Sequence, residues 1–247
     1  MGPSYQQLDD NLDALSGLEL RAPRAVRRDL YLRLAQSWVY HELHVEGVPV
    51  SPVDVGRGFS GDGARNFCDG QTLARVRAFL HAYERMREAA AEREPVTRAM
   101  AFEYYALLAG NAERIRLRDE DGATEQYKHE VVSAREVSTA FDAAFRELDL
   151  ASQRMHPIAQ AGLIHYRICK AWPFERFSAA VARLLANQVL LNNGYPTFIV
   201  PAYDRQRYYH SLHYDISRSQ AVVVEGVTEQ VALRRREYAH GCESIAA

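Results

Sequence analysis

The sequence predicts a mainly α fold: a helical bundle with one small β-hairpin and helical extensions at both ends. Three observations carry that expectation. Apolar residues recur at three- and four-residue spacing along most of the chain, as in Val26, Leu30, Leu34 and Trp38. Helix-start and helix-stop residues bracket those stretches at the right offsets. One segment instead alternates in the manner of paired strands, "ERIRLRDEDGATEQYKHEVV" (113–132), around the turn dipeptide Asp121-Gly122.

Taken in order, residues 1–23 form an N-terminal segment and 24–95 a set of N-terminal helices. The first of these covers about 24–46 and ends at Gly47, a residue suited to the left-handed turn after a helix. Ser51, Pro52 and Asp54 supply an N-cap, a first-turn proline and the acidic half of a capping box. "GRGFSGDGARNFCDG" (56–70) reads as a loop; its glycines fit neither nucleotide-loop pattern and no lysine is placed to serve one. Leu73, Val76, Leu80, Tyr83 and Met86 stripe the next helix. The core, 96–216, opens with a helix to 109, stopped at Gly110-Asn111, and continues through the hairpin at 113–132. Ser133 and Glu136 form a second capping box ahead of Val137, Phe141, Ala144 and Leu148. Pro157 starts a helix through Ala171, and Ser178 caps another that runs to Asn193-Gly194. These two are apolar nearly all round and so must be buried. Asp204 caps a Tyr-rich helix, and the remainder, 217–247, holds a last helix at about 225–240 and a tail.

Composition narrows the function classes. A chain of 247 residues with 47% hydrophobic and 25% charged residues is long enough and apolar enough to bury a full core. Its net charge of −2, with Arg and Glu interspersed, gives no basic stripe for nucleic acid. Cys68, Cys169 and Cys242 are odd in number and far apart, which argues against a disulfide framework or a zinc site. "MGPSYQQLDD" lacks a basic-then-apolar leader and no apolar run approaches the roughly 20 residues a bilayer needs, so the expectation is a cytoplasmic protein without a membrane partner.

The link "WPFERF" (172–177) between the two buried helices carries the chemistry question. Together with its flanks, "HYRICKAWPFERFSAAVARLLANQVLLNNGYPTFIVPAYDRQRYYHSL", it resembles the core of the Fic (filamentation-induced-by-cAMP) family. In that family the link reads His-Pro-Phe-x-Asp/Glu-Gly-Asn-Gly-Arg-x-x-Arg. "EGVPVSPVDV" (46–55) lines up on the family's Glu-Gly-Asn-x-Leu-Thr-x-x-Glu-Val, which makes 37–47 similar to the family's inhibitory helix. The segment 113–132 falls where the family places its target-docking flap. The resemblance covers roughly 30–215. It implies a Fic-like bundle in which His serves as general base, the acid holds Mg²⁺, the Gly-Asn-Gly backbone holds phosphates and two arginines hold the outer phosphates.

This chain departs from that pattern. Trp172 stands at the base position, and an indole takes no proton at neutral pH. Arg176 stands at the acid position and reverses the charge a divalent cation needs. Phe177, Ser178 and Ala179 replace the glycine nest, and Ala180 the first arginine; Arg183 alone persists. The resemblance therefore implies a degenerate member, without metal or cofactor, whose AMP transfer is lost. Three functions remain open: a pocket repurposed for a small or peptide-like, anionic ligand; a pseudoenzyme docking a protein at the hairpin flap; and residual nucleotidyl or phosphoryl transfer through substituted residues.

The pocket candidates are Trp172, Phe174, Arg176, Ser178, Arg183 and Glu46. Candidates for acid–base chemistry are Glu175, Tyr208, His210 and His213. Glu175 and Arg176 also read as a solvated loop pair, and Trp172 as packing. Two histidines three residues apart, at 210 and 213 or at 41 and 44, make weak metal ligands without a third. His165 reads as a hydrogen-bonded core histidine. Glu46 and Arg183 are expected to form a buried ion pair, since in the family the corresponding glutamate bridges the motif's final arginine. Glu42 takes the place of the small hydroxyl residue that opens the inhibitory motif.

Overall fold

A computed structural model describes residues 4–60, 70–110, 115–121 and 129–246. Its helices are α1 (Tyr5–Arg21), α2 (Arg24–Val45), α3 (Pro52–Ser60), α4 (Gly70–Ala91), α5 (Arg98–Ala109), α6 (Val137–Ser152), α7 (Pro157–Ala171), α8 (Ser178–Asn192), α9 (Arg205–Ser211) and α10 (Ile216–Ala246). A 3₁₀ turn, Ala202–Asp204, leads into α9.

The antiparallel pair α7 and α8 forms the centre. Every residue of α8 from Ser178 to Leu190 is buried, as is most of α7, so both read as apolar on all faces for a reason. Helices α6 and α10 cover α7, α4 and α5 cover α8, and α2 bridges α4 and α10. The extension α1 lies on α10 and buries Leu8 and Leu15. Close approach of α10 to the centre depends on Gly162: a Cβ there would stand 2.6 Å from Gln220 Cγ and 3.0 Å from its Cα.

Many local devices are where the sequence puts them. Ser51 Oγ accepts from the Asp54 amide and Asp54 Oδ2 from the Ser51 amide. Gly47, Gly110 and Gly194 all have φ between 73° and 81°, the left-handed region where a side chain would be strained.

Three expectations are corrected, and a fourth falls largely outside the described residues. No strand occurs among the described residues, so the β-hairpin flap at 113–132 is not seen; its turn dipeptide extends outside them, at Gly122. The described flanks bond elsewhere: the Arg118 amide donates to Pro173 O (2.8 Å) and the Val132 amide to Lys170 O (3.1 Å). The proposed loop at 56–70 is helical through Ser60 and again from Gly70, with 61–69 outside the described residues. Ser178 is the first residue of α8 and not its cap; its hydroxyl turns back to accept from the Phe174 amide and donate to the Phe174 carbonyl. The last helix begins at Ile216 and runs far beyond 225–240.

Candidate functional site

The link 172–177 is pinned at both ends by residues in the left-handed region, Trp172 (φ 44°) and Phe177 (φ 60°). For residues with a Cβ that conformation costs on the order of 1–2 kcal/mol each, so the surrounding packing must hold it. The packing is aromatic. Phe174 is fully buried, stacked on Tyr105 with centroids 4.0 Å apart and edge-on to Phe102 and Phe141. Trp172 is buried with its indole edge-to-face against His129 at 4.9 Å. Ala179 and Ala180 are fully buried, and Phe177 packs edge-on against Phe79.

A buried arginine that sequence reasoning passed over clips the link in place. Arg118 Nε donates to Trp172 O at 2.8 Å and Nη1 to Glu120 O at 3.0 Å, and Nη2 donates to Val132 O. Burial lowers its pKa from the ordinary arginine value, opposed by Asp121. The signal was faint, one arginine within an alternating polar run.

Arg183 lies at the bottom of the site, fully buried. Its Nε and Nη2 meet both carboxylate oxygens of Glu42 at 2.7–2.9 Å. Nη2 also meets Glu46 Oε1 at 2.7 Å, and Nη1 donates to the Tyr208 hydroxyl at 3.0 Å. The expected Glu46–Arg183 contact is thus present, but Glu42, one helical turn earlier on the same face of α2, makes the fuller one. Burial pushes the Glu42 carboxyl above the usual carboxylate range, against the pull of Arg183; the Glu46 charge adds to the rise. Burial works to lower the Arg183 value, but Glu42, Tyr208 and Glu46 together hold it well above the usual arginine value.

The network continues from Tyr208. Its hydroxyl lies 2.8 Å from His165 Nε2, and His165 Nδ1 lies 2.9 Å from Ser219 Oγ. Arginine can only donate, so the Tyr208 oxygen accepts from Arg183, which leaves its own O–H to donate to a neighbour such as His165 Nε2. A neutral His165 protonated on Nδ1 would complete the chain by donating to Ser219. Burial and the nearby Arg183 agree, pushing its pKa down to about 3. Cys169 is 3.8 Å from His165 Nε2, and burial pushes its thiol up to about 12, out of the nucleophilic range. His165 is indeed a hydrogen-bonded core histidine.

The candidates named from sequence fall into separate places. Phe174, Ser178, Arg183 and Tyr208 are interior, and the Glu46 side chain is only 6% exposed. Glu175 and Arg176 face out, Glu175 lying 3.6 Å from Arg116 and Arg176 over the Phe177 ring. His210 and His213 are exposed on α9 and just after it, His210 bonded to the Tyr214 hydroxyl. No group of three or more His, Cys, Asp and Glu side chains suited to a metal occurs among the described residues. No helix among the described residues is long and apolar enough to cross a membrane.

No family model matches the chain. Over 61 residues it is 41% identical to the protein adenylyltransferase Fic of Drosophila ananassae and 39% identical to that of Drosophila melanogaster. Those residues are 25% of this chain and 12% of each fly protein. The fold extends the likeness. A Fic domain containing signaling protein from Bacteroides thetaiotaomicron superposes with a TM-score of 0.77 at 18% identity, covering 96% of each chain. Fic-1 from C. elegans gives 0.76 at 19%, over 96% of this chain and 71% of that one. IbpAFic2, solved in complex with adenylylated Cdc42, gives 0.52 at 13%, over 92% and 88%. The whole-chain superposition shows that this chain has the fold of the Fic-domain proteins, and the short sequence match joins it to part of the fly adenylyltransferases.

Proposed function

We propose that this Fic-domain protein has lost AMP transfer and works by binding, taking a small or peptide-like anionic ligand at its remodelled link. The observation that carries the reading is that two buried glutamates, where the family's inhibitory contact uses one, seal the guanidinium of Arg183. At least four of its five N–H groups are spent on Glu42, Glu46 and Tyr208, and two buried carboxylates stand where a nucleotide's phosphates would have to approach. Trp172 supports it, because an indole buried against His129 offers no base for a target hydroxyl. Charge then favours an anion at Arg176, which is exposed on the same link.

Incubation with labelled ATP, Mg²⁺ or Mn²⁺ and a cell lysate tests the first half: no label should depend on this protein, and protein-dependent labelling would overturn it. A thermal-shift panel tests the second, with stabilisation expected from organic acids and none from ATP plus Mg²⁺. A second reading, a protein docked against 115–121 and 129–132, draws support from the complex of IbpAFic2 with Cdc42. It predicts that neither nucleotide nor small acid shifts the melting temperature.

A further inference from the structure

Beside the sealed site lies a cleft of about 340 Å³, within the range of small-molecule sites. Its walls come from α4 (Gln71, Ala74, Arg75, Ala78), the end of α5 (Leu108 to Gly110) and the link (Arg176, Phe177). Two guanidiniums and one amide share a floor of alanine, leucine and phenylalanine, and none of the described lining residues is acidic. Arg75 is half-buried and makes no hydrogen bond or ion pair with any described residue. A partly desolvated cation in that state is under-satisfied, and an incoming anion repays it.

Phe177 supplies an independent observation. Its backbone is held in the left-handed region, and that conformation lays its ring against Phe79 while the Arg176 guanidinium sits 4.9 Å above the same ring. Strain of this kind persists where the surroundings enforce it, and here it sets a guanidinium stacked on an aromatic ring in the wall of the cleft.

We infer that the cleft between α4, the end of α5 and residues 176–177 is the binding site, and that its ligand joins a carboxylate or phosphate to a compact apolar body. The anionic head lies between Arg75 and Arg176, and the apolar body lies on Leu108, Ala109 and Phe177. Arg183 takes no part, since its donors are already spent. This inference rests on the binding reading above and gives it a location.

The experiment uses phenyl phosphate and benzoate as anionic probes, with benzamide as the neutral isostere and inorganic phosphate as the bare anion. Binding to the full chain is followed by titration calorimetry or by shifts in amide NMR resonances. Phenyl phosphate and benzoate are expected to bind at least tenfold more tightly than benzamide and inorganic phosphate. Arg75→Gln and Arg176→Gln should each weaken them about tenfold or more, the loss of one charge-assisted pair. Arg207→Gln, on α9 and outside the cleft, should leave them unchanged. Equal binding of benzamide, no binding of either anion at millimolar concentration, or anion binding indifferent to Arg75→Gln would each overturn the inference. In the last case the binding reading survives and only its location fails, so the two are separable. Both substitutions are at surface-accessible positions, and a circular-dichroism melt of each variant confirms that the fold is kept.

Discussion

Arg183 and Glu42 lie side by side at 2.7–2.9 Å with both side chains 1% exposed, and they come from helices α8 and α2. Removing one partner of such a pair strands the other charge in the interior, which typically costs about 3–5 kcal/mol. Glu42→Gln is therefore expected to destabilise the fold by that amount in urea denaturation. Glu46→Gln, which touches Arg183 through one oxygen, should cost clearly less. Replacing Glu42, Glu46 and Arg183 together by leucine should recover much of the loss. A stability-neutral Glu42→Gln would show that the network is incidental to the fold.

Restoring the base should not restore the chemistry. Trp172→His places an imidazole at the end of α7, but Arg176 stays exposed on the link, Ala180 stays buried and both glutamates stay on Arg183. The variant is expected to give no AMP transfer above background in a labelled-ATP assay. Robust transfer would mean that the phosphate site is more permissive than its geometry indicates.

Acid should loosen the molecule through its histidines. The folded-state value of His165 is lowered to about 3 and that of His129 to about 4, both below the ordinary 6.5. Their contribution is fully present above pH 6.5 and is lost as pH falls toward those folded values, because only the unfolded chain takes up the proton. Glu42, whose folded value is raised, works in the opposite sense and offsets part of the loss. The groups facing His165 are Tyr208, Ser219, Cys169 and Arg183. Between about pH 6 and pH 4 one such histidine contributes about 1.4 kcal/mol per pH unit. His165→Gln should flatten the stability-versus-pH curve by that slope, whatever it does to stability at pH 7. An unchanged slope would show that His165 is charged in the folded protein.

Arg118 is expected to govern the order of its own segment. Arg118→Ala leaves the carbonyls of Trp172 and Val132 without their donor, a loss of about 1–3 kcal/mol for a buried acceptor. Amide exchange in 115–121 and at the Trp172 link should rise in that variant well beyond any global change. Exchange that rises evenly across the protein would argue against a local clip.

Much of the bundle was legible because its signals are local. The Ser51–Asp54 box, Gly47 and Pro157 act within a turn of themselves, and each does what its chemistry dictates. Period-two polarity such as that of 113–132 also suits an extended segment whose amides bond to other elements, as that of Arg118 does to the link and that of Val132 to the last turn of α7. The start of α10 at Ile216 was hidden because the polar run Ser217–Gln220 hides Ser219, buried on His165. Glu42 was seen as a departure from a motif and not as a partner. A second glutamate four residues before Glu46 put both carboxylates on one helical face, which was the available sign. The hydrogen-bond chain from Arg183 to Ser219 could not be read at all, since it joins residues of four helices that meet only in the folded state.

That chain has a consequence for the order in which the protein assembles. Glu42 and Arg183 are separated by 141 residues, and Arg183, Tyr208, His165 and Ser219 add α9, α7 and α10 to the same cluster. Contacts so distant along the chain repay their loop-closure entropy only after nearer ones have formed, so the network belongs late in folding. An interaction that forms after the rate-limiting step leaves the refolding rate nearly unchanged and acts on the rate of unfolding. The ion pair at the heart of this protein is thus a latch on its lifetime: in chevron kinetics, Glu42→Gln should move the unfolding limb and leave the refolding limb almost where it was.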